Sequence, residues 1–110
     1  MAPLLLPTAD ILVETSITMS HISHDELNQK LSDAAKLVSV GSIYKHYKYP
    51  LRDYKVTLLG VQEATEKICV IYKDILEPDA PPFVRDLDSW LESVEWQGAI
   101  VPRFKLVHTK

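Results

Sequence analysis

The sequence predicts a mainly β protein: a small, strongly bent five-stranded barrel with an N-terminal strand and one capped α-helix. Three observations carry this reading. From Ser42 onward, five short segments rich in Val, Ile and Tyr follow one another, separated by turn-forming residues. A short apolar-faced helical turn, Asp86 to Ser93, stands before the last pair of segments, an arrangement that suits a small barrel. Before Ser42, a single stretch has helical periodicity with start and stop signals at its two ends. At 110 residues the chain is long enough for one hydrophobic core without cross-links.

Taken in order, Pro3 and Pro7 make the first residues an arm. Residues Asp10 to Met19 then alternate, with Ile11, Val13, Thr15, Ile17 and Met19 on one face, which reads as a half-buried strand. Ser23 to Glu26 forms a capping box, in which serine oxygen and glutamate carboxylate satisfy each other's backbone amides. Leu27, Leu31, Ala34, Ala35 and Val38 recur on one face of the helix that follows, over residues 24–38, and Gly41 stops it or opens the next turn. Residues 1–41 thus read as an extension packing on the barrel, and residues 42–107 as the barrel itself. Its strands are expected at Ile43 to Tyr49, Tyr54 to Gln62, Lys67 to Lys73, Ser93 to Gln97 and Ala99 to Val107. Pro50, Gly60 and Gln97-Gly98 mark turns or bulges, and Glu77 to Pro82 is too proline-rich for regular structure. The expected core is Ile43, Val56, Leu58, Val70, Tyr72, Leu87, Trp90, Leu91, Val94 and Phe104.

Composition narrows the function classes. With 46% apolar and 25% charged residues, the chain is neither a disordered tail nor a collagen-like repeat. Its single cysteine, Cys69, rules out an intramolecular disulfide and favours a reducing compartment. The run Leu4-Leu5-Leu6 ends at Pro7 and the first basic residue is Lys30, so neither a secretory signal nor a transit peptide is expected. No apolar run reaches the ~18 residues of a membrane span. A cytoplasmic protein is the expectation. The net charge of −3 is unevenly spread. Residues 42–62 hold four basic side chains against Asp53, and the tail from Trp96 holds three and no acid, while residues 63–95 carry nine acids against three bases. Two confined positive stretches argue against general nucleic-acid binding and leave room for a local anion site.

The chemistry-bearing residues are few. Tyr44-Lys45-His46-Tyr47-Lys48-Tyr49 interleaves aromatics with bases. On one continuous strand, however, Tyr44, His46 and Lys48 would share a face while Tyr47 and Tyr49 would point the other way. Arg85 and Arg103 are each either half of a structural ion pair, with Asp74, Asp86 or Asp88 available, or a planar fork for a ligand carboxylate or phosphate. His21 and His24 flank the helix cap without further metal ligands, and no C-x-x-C or H-E-x-x-H motif occurs, so no metal and no cofactor is expected. Neither a G-x-S-x-G elbow nor a phosphate-cradling glycine loop is present. Trp90 and Trp96 read as core or rim packing.

From Ser42 to Val107 the chain resembles the domain-of-unknown-function family 1653. The resemblance rests on Ile43-Tyr44-Lys45-His46-Tyr47-Lys48, Tyr54-Lys55-Val56 with Gly60-Val61, Val70-Ile71-Tyr72, Val84-Arg85 with Leu87, and Val101-Pro102-Arg103-Phe104, in that order. It implies an SH3-like barrel. The chain departs from the family pattern in three places. Tyr49 to Asp53 lengthens a short turn, Gln62-Glu63-Ala64-Thr65 lacks the histidine of an H-S-E-T stretch, and Phe83-Val84-Arg85-Asp86 replaces W-V-R-P.

Two functions follow as expectations. The first is a non-catalytic binding module presenting Tyr44, His46, Tyr72, Arg85 and Arg103 to a small anionic ligand or a peptide. The alternative is a small hydrolase or transferase with His46 as general base and Arg85 as anion clamp. A carboxylate orienting His46 in a closed pocket would mark the enzyme, and an open groove the module. The N-terminal strand needs an edge to pair with, either in its own barrel, giving a monomer, or in a neighbour, giving a homodimer.

Overall fold

The computed structural model describes residues 23–109. The arm and the strand expected at Asp10 to Met19 lie outside them. Helix α1, His24–Leu37, begins with the expected capping box: the Ser23 Oγ accepts the Glu26 amide at 3.1 Å, and the Glu26 carboxylate accepts the Ser23 amide at 3.0 Å. The helix ends when Val38 turns extended, and Gly41 takes up a φ of 90° in the turn that follows. Gly41 donates to the Val56 carbonyl and Val56 to that of Ser42, which fastens the helix end to the sheet.

Seven strands are present among the described residues. They are β1 (Ile43–His46), β2 (Tyr49–Gln62), β3 (Lys67–Asp74), β4 (Phe83–Asp86), β5 (Ser93–Trp96), β6 (Ala99–Pro102) and β7 (Phe104–His108), with the short helix α2 (Leu87–Leu91) between β4 and β5. The protein is mainly β. Five strands form one antiparallel sheet in the order β4-β3-β2-β1-β7, and β5 pairs with β6 as a separate hairpin. That hairpin turns on Gln97 and Gly98, whose φ values of 52° and 83° supply the left-handed pair a tight two-residue turn requires.

Four strand boundaries differ from the sequence expectation, one of them the start of β2, which lies at Tyr49 where Tyr54 was expected. The segment Ile43 to Tyr49 is not one strand: it reverses at Tyr47-Lys48, so His46 pairs with Tyr49. No glycine or asparagine marks this turn. It is held by the Tyr47 amide donating to the Arg103 carbonyl and the Lys48 amide donating to His46 Nδ1. The segment Ala99 to Val107 breaks at Arg103, so that its first half pairs with β5 and its second half with β1. Residues Phe83–Asp86, where no strand was expected, form an edge strand on β3. The stretch through Pro50 is accommodated where the β1–β2 register shifts, so the missing proline amide costs no regular ladder bond.

The core gathers Val38, Tyr44, Tyr54, Val56, Val70, Tyr72, Trp90 and Phe104, with Leu87 packed against it. At its centre Trp90 lies flat on Phe104, with centroids 3.7 Å apart and planes 6° from parallel. Tyr44 and Tyr72 meet Trp90 edge-on at 5.2 and 5.0 Å. Two expected core residues are instead exposed. A register shift between Val56 and Leu58 turns Leu58 outward, and Leu91, next to inward-facing Trp90 in a five-residue helix, lies on the solvent side. Ile43 and Val94 are half-buried. Of the α1 stripe, Ala34 and Val38 are buried and Leu27 and Leu31 half-buried, but Ala35 is exposed, because the helix docks along a narrower line than its apolar positions span.

Replacing Ser23 with Ala should lower stability by about 1 kcal/mol through loss of the cap, whereas Trp90→Ala should cost about 3–5 kcal/mol. Urea unfolding midpoints measure both, and an unchanged midpoint in the first variant would show that the cap contributes nothing.

Candidate functional site

Three of the expected site residues converge. His46 closes β1, Tyr72 lies inward on β3, and Arg85 stands two residues from Phe83 on β4, on the same face of that strand. With Tyr49, Tyr54, Phe83 and Phe104 they line a cavity of about 220 Å³. Tyr49 and Phe83, 50% and 46% exposed, form its rim; Tyr54, Tyr72 and Phe104, none above 8%, form its floor. The cavity owes its shape to the turn at Tyr47-Lys48. By bringing Tyr49 back opposite His46, the turn sets their rings 5.2 Å apart on the same wall, where a continuous strand would have separated them.

Arg85 is the permanent charge of the lining. Its Nη1 donates to Ser89 Oγ at 2.9 Å, its Nε donates weakly to the Tyr72 hydroxyl at 3.4 Å, and its guanidinium carbon lies 5.4 Å from the centre of the Phe104 ring. Among the described residues no carboxylate lies within ion-pairing distance of it. The acids considered as its partners are engaged elsewhere: Asp74 with Arg52, and Asp86 at 3.9 Å with Lys67. Asp88 makes no ion pair with it.

His46 is held neutral. Burial, then the positive charges of Arg85, Arg103 and Lys48, lower its pKa from the ordinary histidine value. Its Nδ1 accepts the Lys48 amide at 3.1 Å, which assigns the ring proton to Nε2. In that tautomer Nε2 can donate to an anion but has no lone pair with which to take a proton from a nucleophile. No carboxylate among the described residues orients the ring. A further polar group of the lining is the Tyr54 hydroxyl, which makes no hydrogen bond to any described residue. Burial first, and then the neighbouring Asp74 charge, push its pKa up, so it stays protonated.

The other two expected residues lie outside the lining. Tyr44 is a core residue whose hydroxyl accepts the Ser39 amide at 2.8 Å. Arg103 reaches the Ser89 carbonyl through Nε at 3.0 Å and pairs with Glu92 at 2.7 Å, so its geometry is that of a structural ion pair. It still bears on the site, because Ser89 is bound by both arginines. Tyr49, Tyr54, Phe83, Phe104 and Ser89 were not among the expected site residues. Tyr54 and Phe104 stand in motifs that carry the family resemblance, Tyr49 in the aromatic-basic run, and Phe83 where the W-V-R-P pattern has an aromatic, whereas Ser89 carried no signal.

The imidazole of His46 should titrate below about 6.5 in the folded chain, followed by NMR of its ring protons. Because the unfolded chain then binds the extra proton first, this group makes stability fall as pH drops from about 6.5 toward the folded midpoint. Arg85→Leu should raise the midpoint, and no movement would show that the two side chains do not interact.

Among curated proteins none matches this chain. Among the described residues no helix is long and apolar enough to cross a membrane, and no three potential metal ligands gather. The chain is similar to a crystal structure of a DUF1653 protein from Bordetella bronchiseptica, with 27% identity and a TM-score of 0.55, over 64% of this chain and 88% of that one. The model of the family described as "Protein of unknown function (DUF1653)" matches residues 42–106, which include every residue lining the cavity and leave α1 outside. With more than half its length matched, the chain belongs to the DUF1653 family.

Proposed function

We propose that this protein is a non-catalytic binding module whose cavity holds a small anionic ligand, free or as the end of a peptide, against Arg85. One observation carries the reading: a half-buried guanidinium lines a cavity while the nearby carboxylates pair with other bases. A partly buried cation is normally matched by an acid, and here a ligand would supply it. His46, neutral and donating through Nε2, suits an anion's second oxygen better than it suits general-base work. The strand order, with a helical turn between β4 and the last strand of the sheet, supports the small-barrel frame on which such a site would rest.

Thermal-shift measurements against small carboxylates and phosphates test the proposal. A ligand at 100 times its Kd should add about 2.7 kcal/mol of stability. Arg85→Leu should abolish the response, while Tyr44→Phe, outside the lining, should keep it even if the variant is less stable. A response that survives Arg85→Leu, or none with any anion, would refute the site.

A further inference from the structure

The lining has one permanent charge and a wall made almost wholly of rings. Tyr54 meets Tyr72 at 83° and Phe83 at 68°, His46 meets Phe104 at 78°, and Tyr49 lies 29° from His46. Rings inclined in this way present both faces and edges to whatever lies between them, a setting in which another planar ring gains more than a saturated body of equal size. The volume, about 220 Å³, lies below the roughly 300–1,000 Å³ of pockets for drug-sized molecules, and so suits one ring with a short polar group.

The arginine sets the polar end. Its Nε and one Nη1 proton are directed to Tyr72 and Ser89, which leaves the second Nη1 proton and both Nη2 protons without a partner among the described residues. One proton from each Nη is the end-on fork that matches the two oxygens of a carboxylate. Charge points the same way. With His46 neutral, the lining carries a single positive charge, which a monoanion cancels. A dianionic phosphate would bring an uncompensated charge against the aromatic floor. Tyr54, a buried residue of the floor, has a hydroxyl without a hydrogen-bond partner among the described residues, a polar group for a ligand oxygen to satisfy.

We infer that the ligand is an aromatic monocarboxylate, its carboxylate forked by Arg85 and its ring held between Tyr49 and Phe83 at the rim and Tyr54, Tyr72 and Phe104 below. The inference rests on the anion-site reading and narrows it to one chemical class. Calorimetric titration of the full chain with benzoate, cyclohexanecarboxylate, phenyl phosphate and acetate tests it. Benzoate should bind about tenfold more tightly than cyclohexanecarboxylate, and more tightly than phenyl phosphate, with acetate weakest. Arg85→Leu should remove benzoate binding, and Arg85→Lys, which keeps the charge but loses the fork, should weaken it about tenfold. Equal binding of cyclohexanecarboxylate overturns the ring requirement, and tighter binding of phenyl phosphate overturns the carboxylate. Either result leaves the anion site standing, provided that it is lost in Arg85→Leu. Failure of all four probes to bind overturns the present inference, and failure of every anion in the wider thermal-shift series overturns the site as well.

Discussion

Trp90 lying flat on Phe104 is the contact through which the separate pieces of this protein become one structure. Trp90 belongs to a helix of five residues, too short to be stable alone, and Phe104 opens the last strand of the sheet. Their stack fixes α2 over the sheet, and Tyr44 and Tyr72 close around it edge-on from β1 and β3. The residue before Trp90 is Ser89, whose hydroxyl and carbonyl bind Arg85 and Arg103. The same packing that fills the core therefore sets the direction of the charged side chain lining the cavity. Phe104 serves both purposes, with one face on Trp90 and its ring also in the lining.

Around this centre the charges are sorted. Arg52 joins Asp74 and Glu77, Lys45 joins Asp53, Lys67 faces Asp86, and Arg103 holds Glu92. Most of these pairs are exposed and add little stability each. Asp74 is the exception in burial. Its desolvation would raise its pKa, but the Leu76 amide and Arg52 outweigh that and hold the carboxyl below its usual range. The consequence of this sorting is an unbalanced cavity, in which Arg85 is stabilised by hydroxyls and a ring face rather than by an acid.

Much of the frame was legible in the chain. The capping box at Ser23 and the left-handed turn at Gln97-Gly98 are local signals, because each depends on hydrogen bonds or backbone angles within four residues. The alternation in β2 and β3 and the apolar weight of Val56, Val70, Tyr72, Trp90 and Phe104 likewise made the mainly β class and half of the expected core readable. Of the site, His46, Tyr72 and Arg85 could be picked out by residue type and motif position.

What only the tertiary structure decided is where those strands turn and what the arginines meet. The reversal at Tyr47-Lys48 is held partly by the Arg103 carbonyl, more than fifty residues away, and partly by His46 Nδ1, with no glycine or asparagine to announce it; yet it brings Tyr49 to the side of His46. The register shift that exposes Leu58 depends on β3, and the break at Arg103 depends on two different strands claiming its two flanks. Arg85 and Arg103 look alike in the sequence, each an arginine two residues or fewer from a valine in one of the motifs that carry the family resemblance. Their difference arises because Glu92 lies beside one while Asp74 and Asp86 are engaged by other bases. Hydrogen bonds between near neighbours are written in the order of the residues. Which charge lacks a partner is a property of the whole fold, since it depends on where every other charge has gone.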